Sequence, residues 1–229
     1  MSVYSISDLH LSYAKPKPMD RFGAQWSDHE ARVATNWRSV VGTNDLVLLP
    51  GDLSWAMRWD DFTADLSYLH SLPGTKIISR GNHDYYWMSK AKMDISLPKD
   101  VIALEQDTVA IAGFAIVGVK GWLTPGCRLY DSQEDEKYFL RERGRLERSL
   151  QMASEHDMPI IAMIHFPPFA QQADVGFTDL LEKYGVAHCV YGHLHGGDWQ
   201  NQTGGLIRGV RYHLVSADYL EFRPKRISN

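Results

Sequence analysis

The sequence predicts a mixed α/β fold, and two observations support this class. Short apolar, β-branched runs bounded by Gly, Pro or Asn alternate with longer segments whose apolar residues recur every three to four positions. The run Leu-Val-Leu-Leu at 46–49 is apolar throughout, which is typical of a strand covered on both faces. We therefore expect a largely parallel sheet with helices packed on it, and ligands beyond the carboxyl ends of its strands.

The first half of the chain alternates strictly between the two types of element. In order, we predict a strand at 3–6, a helix at 30–41, a strand at 46–49, a helix at 60–72 and a strand at 75–79. The first helix places Val33, Trp37 and Val41 at four-residue spacing, and a polar, proline-containing loop at 11–28 precedes it. This is the order of βαβ units.

The second half is richer in strands. We predict strands at 101–104, 108–112, 115–119, 159–164 and 187–191, a closing hairpin within 204–220, and helices at 133–157 and 178–184. The long helix is amphipathic, with Phe139, Leu146 and Leu150 on its inward face. No internal repeat or linker divides the chain, so we expect a single domain over residues 1–229.

Composition restricts the partners of the protein. The 24 basic residues against 28 acidic ones give a net charge of −4, so no overall positive field favours duplex nucleic acid or an anionic membrane. No apolar run approaches the length of a membrane span, and we expect no membrane partner.

The cysteines and the N-terminus indicate the compartment. Cys127 and Cys189 are too few for a disulfide framework and lack the spacing of a metal site. The first residues have neither the charged segment nor the apolar segment of a signal peptide. We therefore expect a cytoplasmic protein with reduced thiols.

Polar side chains follow five of the predicted strands at the points where the strands end. They are Asp8, His10, Asp52, Asn82, His83, His165, His193 and His195. Residues two apart in an extended segment point to the same side, so each Asp-Leu-His or His-Leu-His pair can hold one ion. Imidazoles and carboxylates without thiolates suit Mn, Fe, Zn, Ni or Co. Eight such groups exceed what one ion needs.

Each of these residues has an ordinary structural explanation when it is taken alone. A histidine or aspartate at a strand end is commonly a capping residue, and Asn82 fits a turn. These explanations would have to hold together at five strand ends, which favours a shared function. The other histidines fall in loops, helices or strand interiors and are assigned structural roles; they are His29, His70, His156, His188 and His213.

The ordered blocks Asp-x-His, Gly-Asp, Gly-Asn-His-Asp, an isolated His and Gly-His-x-His extend from Asp8 to His195. In this combination the chain resembles the calcineurin-like metallophosphoesterase superfamily. The resemblance implies a four-layer α-β-β-α sandwich of two mixed sheets, with a dinuclear metal site at the carboxyl ends of the strands. The strand-rich second half agrees with that expectation.

The resemblance also implies the roles of the site residues. One divalent ion would be held by Asp8, His10, Asp52 and His195, and a second by Asp52, Asn82, His165 and His193. Among the metals named above, Mn is the one we expect to be most active. A hydroxide bridging the ions would attack phosphorus, and His83 would act as general acid or stabilise charge on the leaving oxygen.

Two positions depart from the protein Ser/Thr phosphatase branch. Trp55 stands where that branch has the carboxylate that orients its catalytic imidazole, so we do not expect this chain to belong to that branch. Asp84 is then a candidate for orienting His83. Arg80 matches an arginine that contacts phosphate in that branch, and a surface role is the alternative.

Tryptophans near the strand ends bear on the substrate. Trp55 and Trp87 are candidates for stacking on a flat leaving group, and the alternative is that they are ordinary core residues. The sequence thus predicts a hydrolase of a small phosphomonoester or phosphodiester. The alternatives are a non-catalytic metal-bound scaffold, and a nuclease restricted to short single strands.

Overall fold

Two β-sheets form the centre of the computed structural model, which describes residues 1–169, 176–197, 199 and 204–228. The strands are β1 Val3–Ser5, β2 Leu46–Pro50, β3 Thr75–Ser79, β4 Val101–Leu104, β5 Thr108–Ile111, β6 Phe114–Val119, β7 Ile160–Ile164, β8 His188–Tyr191, β9 Gly204–Ile207, β10 Val210–Leu214 and β11 Lys225–Ser228. The helices are α1 His29–Val40, α2 Trp59–His70, α3 Lys90–Ser96, α4 Ser132–Ser154 and α5 Thr178–Lys183.

Both sheets have a parallel centre, with an antiparallel pair at one edge of the first sheet and at both edges of the second. The first has the order β11-β1-β2-β3-β4, in which only the β11–β1 pair is antiparallel. The second has the order β5-β6-β7-β8-β10-β9, with antiparallel pairs at its two ends. Because the central strands of each sheet run in one direction, their carboxyl ends meet at a common edge.

Side-chain alternation divides the core into layers. On β2, Leu46 and Leu48 pack between the two sheets, while Val47 and Leu49 belong to the cluster that includes α1 and α2. All four side chains are fully buried. The continuous apolar run in the sequence therefore arises because this strand is covered on both faces, as predicted.

The second sheet repeats this arrangement. Met163 on β7 faces the first sheet, whereas Ala162 and Ile164 pack with Phe139 and Leu146 of α4. Helices thus cover the outer face of each sheet, and the predicted four-layer α-β-β-α sandwich is confirmed.

The longest helix, α4, is amphipathic and carries charged residues along its exposed face. Within the described part of the chain, no helix combines the length and apolar character that crossing a bilayer requires.

The sequence missed two short elements. Helix α3 buries only Met93, so it lacks the apolar periodicity that reveals a helix. Strand β11 has the sequence Lys-Arg-Ile-Ser and lies at a sheet edge, where charged residues are common. The closing hairpin is formed by β9 and β10, and it is shorter than predicted because β10 ends at Leu214 and a turn region follows.

Candidate metal centre

The predicted ligands and His83 all lie in loops that leave the carboxyl ends of central strands. Asp8 and His10 follow β1, Asp52 follows β2, Asn82 and His83 follow β3, His165 follows β7, and His193 and His195 follow β8. The first three strands belong to one sheet and the last two to the other. The structure therefore brings together residues from both sheets at one end of the sandwich.

One group of potential ligands comprises Asp8, His10 and His195, whose ligand atoms lie within 4.8 Å of one another. The Nε2 atoms of His10 and His195 are 3.3 Å apart, and His195 Nε2 is 3.3 Å from Asp8 Oδ1. Two imidazoles and a carboxylate thus point toward a common position, which is the arrangement of a metal site.

A second group comprises Asp52, His165 and His193 and meets the same 4.8 Å limit. His165 Nε2 lies 2.8 Å from Asn82 Oδ1 and 3.4 Å from Asp52 Oδ2, so the asparagine belongs beside this group. The two groups bring together residues of the two predicted ligand sets, with Asp52 in the second group only. Metal binding by these residues, and the role of Asp52 as a shared ligand, stay predictions.

Four of these residues have strained backbones. Asp8, His10, Asp52 and His193 have φ of 59°, 47°, 52° and 70°, in the left-handed region that non-glycine residues rarely adopt. Each such residue costs on the order of 1 kcal/mol or more, and such residues cluster at functional sites. The fold holds these side chains in positions that an unstrained loop would not give them.

Glycines allow the ligand loops to approach one another. A Cβ on Gly81 would overlap the carboxylate and backbone nitrogen of Asp52, and one on Gly192 would overlap Asp8 and Ser7. The glycines of the Gly-Asn-His-Asp and Gly-His-x-His blocks are therefore required by packing against ligands that follow other strands.

The carboxylates of the centre stay ionised although they are buried. Burial by itself would raise the pKa of Asp8, but the charge of His195 and its hydrogen bond lower that pKa to about 2. Burial would likewise raise the pKa of Asp52, and the attraction of His165 holds that pKa below its ordinary range.

The imidazoles divide into two kinds. Burial would lower the pKa of His195 and His165, but Asp8 raises the first to about 10 and Asp52 raises the second to about 9. For His10 and His193 burial prevails and lowers the pKa to about 3 and about 4. The two carboxylates therefore create a negative potential that favours cations at both groups.

The outer ring nitrogens of two ligand histidines are held by hydrogen bonds. His195 Nδ1 lies 2.9 Å from Asp218 Oδ1, and the other oxygen of Asp218 accepts from the Gly196 backbone at 3.0 Å. His165 Nδ1 lies 3.0 Å from the Pro50 carbonyl oxygen. Both arrangements leave Nε2 to face the centre, as second contacts of metal-bound histidines commonly do.

Asp218 is a supporting residue of the candidate site that the sequence pattern does not predict. It lies four residues beyond β10, which pairs in parallel with β8, so its loop leaves the same end of the sheet as the ligand loop of His195. Applying the strand-end argument to this last parallel strand would have identified it. The sequence predicts this strand as half of a closing hairpin, which it forms with β9, but does not predict its parallel pairing with β8.

The hydrogen-bond partners of Asp84 differ from the partner that the sequence suggests, which is the His83 ring. Its buried carboxylate accepts hydrogen bonds from four backbone N–H groups, those of Gly81, Asp52, Leu53 and Ser54. Burial, together with the charge of Asp52, raises the pKa of Asp84 to about 7. These hydrogen bonds join the loops after β2 and β3. Asp84 therefore positions these two loops, whereas the sequence makes it a candidate for orienting His83.

The His83 ring lies against Trp55 instead of a dedicated carboxylate. The two ring centroids are 4.4 Å apart, and His83 Nε2 is 4.0 Å from Asp52 Oδ2. Burial lowers the pKa of His83, against the opposing effect of Asp52. The side chain is 35% exposed, so it is accessible from solvent.

The two tryptophans proposed for stacking are occupied by protein contacts. One face of Trp55 stacks on His10 at 4.7 Å, and Lys17 Nζ lies 3.1 Å from the ring centroid. Trp87 is only 9% exposed and packs in the core, with its N–H 3.4 Å from a Glu105 oxygen. Trp87 is therefore an ordinary core residue. Trp55 packs against the imidazoles of His10 and His83.

Divalent ions fit the residues of this centre. Each group combines a buried carboxylate with imidazoles whose nitrogens converge, and no thiolate takes part among the described residues. This donor set suits the transition metals named from the sequence.

A two-sheet sandwich with two groups of candidate ligands at its strand ends has the features of a metalloprotein. The model of the calcineurin-like phosphoesterase family matches residues 1–197, and the chain belongs to that family. Asp218 lies beyond the matched region.

Among curated proteins, the chain is 33% identical over 78 residues to the Gene 66 protein of Mycobacterium phage L5. That match covers 34% of this chain and 37% of the phage protein. Phosphopantetheinyl hydrolase (PptH) from Mycobacterium tuberculosis has a similar structure, with TM-score 0.56, 17% identity and coverage of 99% of this chain and 95% of that one.

A protein of unknown function from Aquifex aeolicus, AQ665, is similar as well, with TM-score 0.52 and 15% identity. That likeness covers 98% of this chain and 95% of the Aquifex chain. At these identities the structural likenesses show the fold alone.

Proposed function

We propose that the chain hydrolyses a small phosphomonoester or phosphodiester at this centre, with His83 assisting departure of the leaving group. The observation that supports it is the position of His83. It stands outside the two ligand groups that the described residues form, yet its Nε2 is 4.0 Å from Asp52 Oδ2 and its ring is accessible to solvent. A side chain so placed can meet a substrate oxygen.

The ligand residues and His83 have separate tasks in this proposal. One ion would be held by Asp8, His10 and His195, and the other by Asp52, Asn82, His165 and His193. When bound, the ions supply Lewis-acid polarisation of the phosphoryl oxygens and an activated water. His83 donates a proton or a hydrogen bond to the leaving oxygen, while Trp55 packs against its ring and Asp52 Oδ1 accepts a hydrogen bond from its backbone N–H.

Exposed aromatic residues beside His83 and its neighbour Trp55 are the candidate contacts for the leaving group. Tyr85 is 53% exposed with its ring 6.5 Å from that of His83, and Phe22 is 57% exposed and stacks over Trp55 at 6.5 Å. These rings replace Trp55 and Trp87 as the proposed contacts for a flat or apolar leaving group.

Metal analysis combined with a panel of chromogenic monoesters and diesters in the presence of Mn²⁺ tests the proposal. We expect hydrolysis by the wild-type chain, and a decrease in kcat of about 10²- to 10⁴-fold in His83→Asn with unchanged metal content. A protein that holds both ions and hydrolyses no ester of the panel would refute the proposal. Tyr85→Ala is expected to raise KM for aryl esters more than for alkyl esters.

A further inference from the structure

A small cavity lies beside the metal centre, between the first sheet and helix α4. Its volume is about 160 Å³, and its charged lining residues are Arg80, Glu105, Lys120, Arg141, Glu142 and Arg145. That volume is several times the roughly 30 Å³ share of one water molecule. It is well below the roughly 300 Å³ at which pockets for whole small molecules begin. We call it the cationic cavity, and its size suits one compact chemical group.

The lining carries an excess of positive charge. Four cationic side chains face two carboxylates, so a bound anion would find a net attraction. Lys120 is partly buried, and its ammonium lies 4.1 Å from the ring centroid of Trp122. Burial lowers the pKa of Lys120, Glu142 opposes this effect and Arg80 adds to it, with a result of about 8. An anion in the cavity would stabilise this cation.

The buried carboxylate of Glu142 sets a second requirement for a ligand of the cationic cavity. Its side chain is 1% exposed, and its Oε1 accepts from Arg145 at 2.8 Å and lies 3.6 Å from Arg141 Nε. Its Oε2 is buried and has no hydrogen-bond partner among the described residues. A buried carboxylate oxygen without a donor is costly, so a group that fits here should supply a hydrogen as well as negative charge.

The cavity adjoins the second ligand group through shared backbone. Arg80 immediately precedes Gly81 and Asn82 in the loop after β3. On the other side, the Lys120 carbonyl accepts the N–H of Phe166, the residue that follows His165. The cavity and the metal centre therefore share the loop after β3, and the residue after β6 that lines the cavity is hydrogen-bonded to the loop after β7 that carries His165.

We propose that the cationic cavity binds a compact oxyanion that also carries an O–H group, of which hydrogen phosphate is the simplest example. The arginines and Lys120 bind the charged oxygens, and the O–H donates to Glu142 Oε2. Such a group can be free phosphate or an additional phosphate, with a neighbouring hydroxyl, within a substrate. Binding in this cavity is separate from the proposed hydrolysis and is measured without it.

The test is calorimetric titration of the Mn²⁺-loaded protein with inorganic phosphate and with sulfate near neutral pH. We expect two phosphate-binding events in the wild type, of which Arg145→Gln and Lys120→Met weaken only one. The expected decrease is about 10- to 100-fold, which corresponds to the loss of one charge-assisted hydrogen bond. Lys183→Gln, an exposed residue paired with Glu147, is the matched control and should change neither event.

Sulfate distinguishes the role of Glu142, because sulfate carries no proton at this pH and cannot donate to Oε2. The wild-type cavity should bind phosphate at least about tenfold more tightly than sulfate, and Glu142→Gln should remove that preference. Thermal unfolding verifies that the variants fold. Arg141→Gln, at a side chain that is 48% exposed, provides a further variant with little risk to the core.

The source of the anion follows from the kinetics of the same variants. If Arg145→Gln raises KM about tenfold or more only for esters with a second phosphate on the leaving group, the anion belongs to the substrate. If KM is unchanged while phosphate binding weakens, the ligand is free phosphate. Phosphate binding that is identical in wild type, Arg145→Gln and Lys120→Met would overturn the proposal, whether or not the protein hydrolyses esters.

Discussion

Replacing Asp84 by asparagine is expected to destabilise the protein and weaken metal binding without touching a ligand. In the wild type, Oδ2 of Asp84 accepts from Asp52 and Gly81 at 2.8 and 2.7 Å, and Oδ1 accepts from Leu53 and Ser54 at 2.9 and 3.3 Å. An asparagine has one acceptor oxygen, so two of these four N–H groups must lose their partner.

The magnitude follows from the number of donors that are lost. The oxygen is expected to keep the shorter pair, and the amide NH₂ would then face Leu53 and Ser54. Each buried donor without an acceptor costs about 1–3 kcal/mol, or about 2–6 kcal/mol for both. Removing a buried charge beside Asp52 offsets part of this cost, because burial and Asp52 disfavour the ionised form of Asp84. We therefore expect a net loss in the free energy of unfolding near the lower end of that range, about 1–3 kcal/mol.

Urea unfolding of the wild type, Asp84→Asn and the control Asp94→Asn measures this difference. Asp94 is 50% exposed and paired with Lys90 on the surface, so its substitution should change stability by less than about 0.5 kcal/mol. Calorimetry should show metal affinity reduced about tenfold or more in Asp84→Asn, because the Asp52 loop is no longer fixed. An Asp84→Asn protein as stable as the control, with wild-type metal affinity, would contradict the assigned positioning role.

Three further predictions concern other parts of the structure. Asp218→Asn is expected to lower metal affinity about 10- to 100-fold while changing stability little, as metal titration and thermal unfolding would show; unchanged affinity would count against its role. Gly81→Ala should lower the free energy of unfolding by more than about 2 kcal/mol and impair metal binding, because the added Cβ overlaps Asp52. Gly144→Ala in α4 should raise the free energy of unfolding by about 0.5–1 kcal/mol, and urea unfolding measures both variants. Burial is the main cause that lowers the pKa of His213 to about 3 in the folded protein. As the pH falls below about 6.5, the imidazole is protonated in the unfolded state before it is protonated in the folded state, so the free energy of unfolding decreases. Between pH 7 and about 4.5 this amounts to roughly 1–2.5 kcal/mol, and a His213→Asn variant whose unfolding free energy falls as steeply as that of the wild type would refute it.

Much of the fold could be predicted because local pattern and tertiary environment agree. The run at 46–49 is apolar throughout because helices cover one face of β2 and the second sheet covers the other. Elements without that agreement were missed: β11 pairs with β1 from the far end of the chain, and its charged sequence gives no strand signal. Such pairing depends on contacts that local pattern does not record.

The sequence by itself determined which residues are the candidate metal ligands. They lie in the blocks Asp-x-His, Gly-Asp, Gly-Asn-His-Asp and Gly-His-x-His, and a strand end presents residues two apart on one side. Only the tertiary structure decided which other residues support the candidate ligands, and through which contacts. Asp84 is adjacent to His83 in sequence, yet its carboxylate binds backbone N–H groups of two loops.

Asp218 is distant in sequence from His195 and still holds its imidazole. The candidate ligands are predicted from their own chemistry, which the sequence shows. Their supports depend on proximity in three dimensions. Asp84 joins the loops after the neighbouring strands β2 and β3, and Asp218 reaches His195 because β10 pairs with β8.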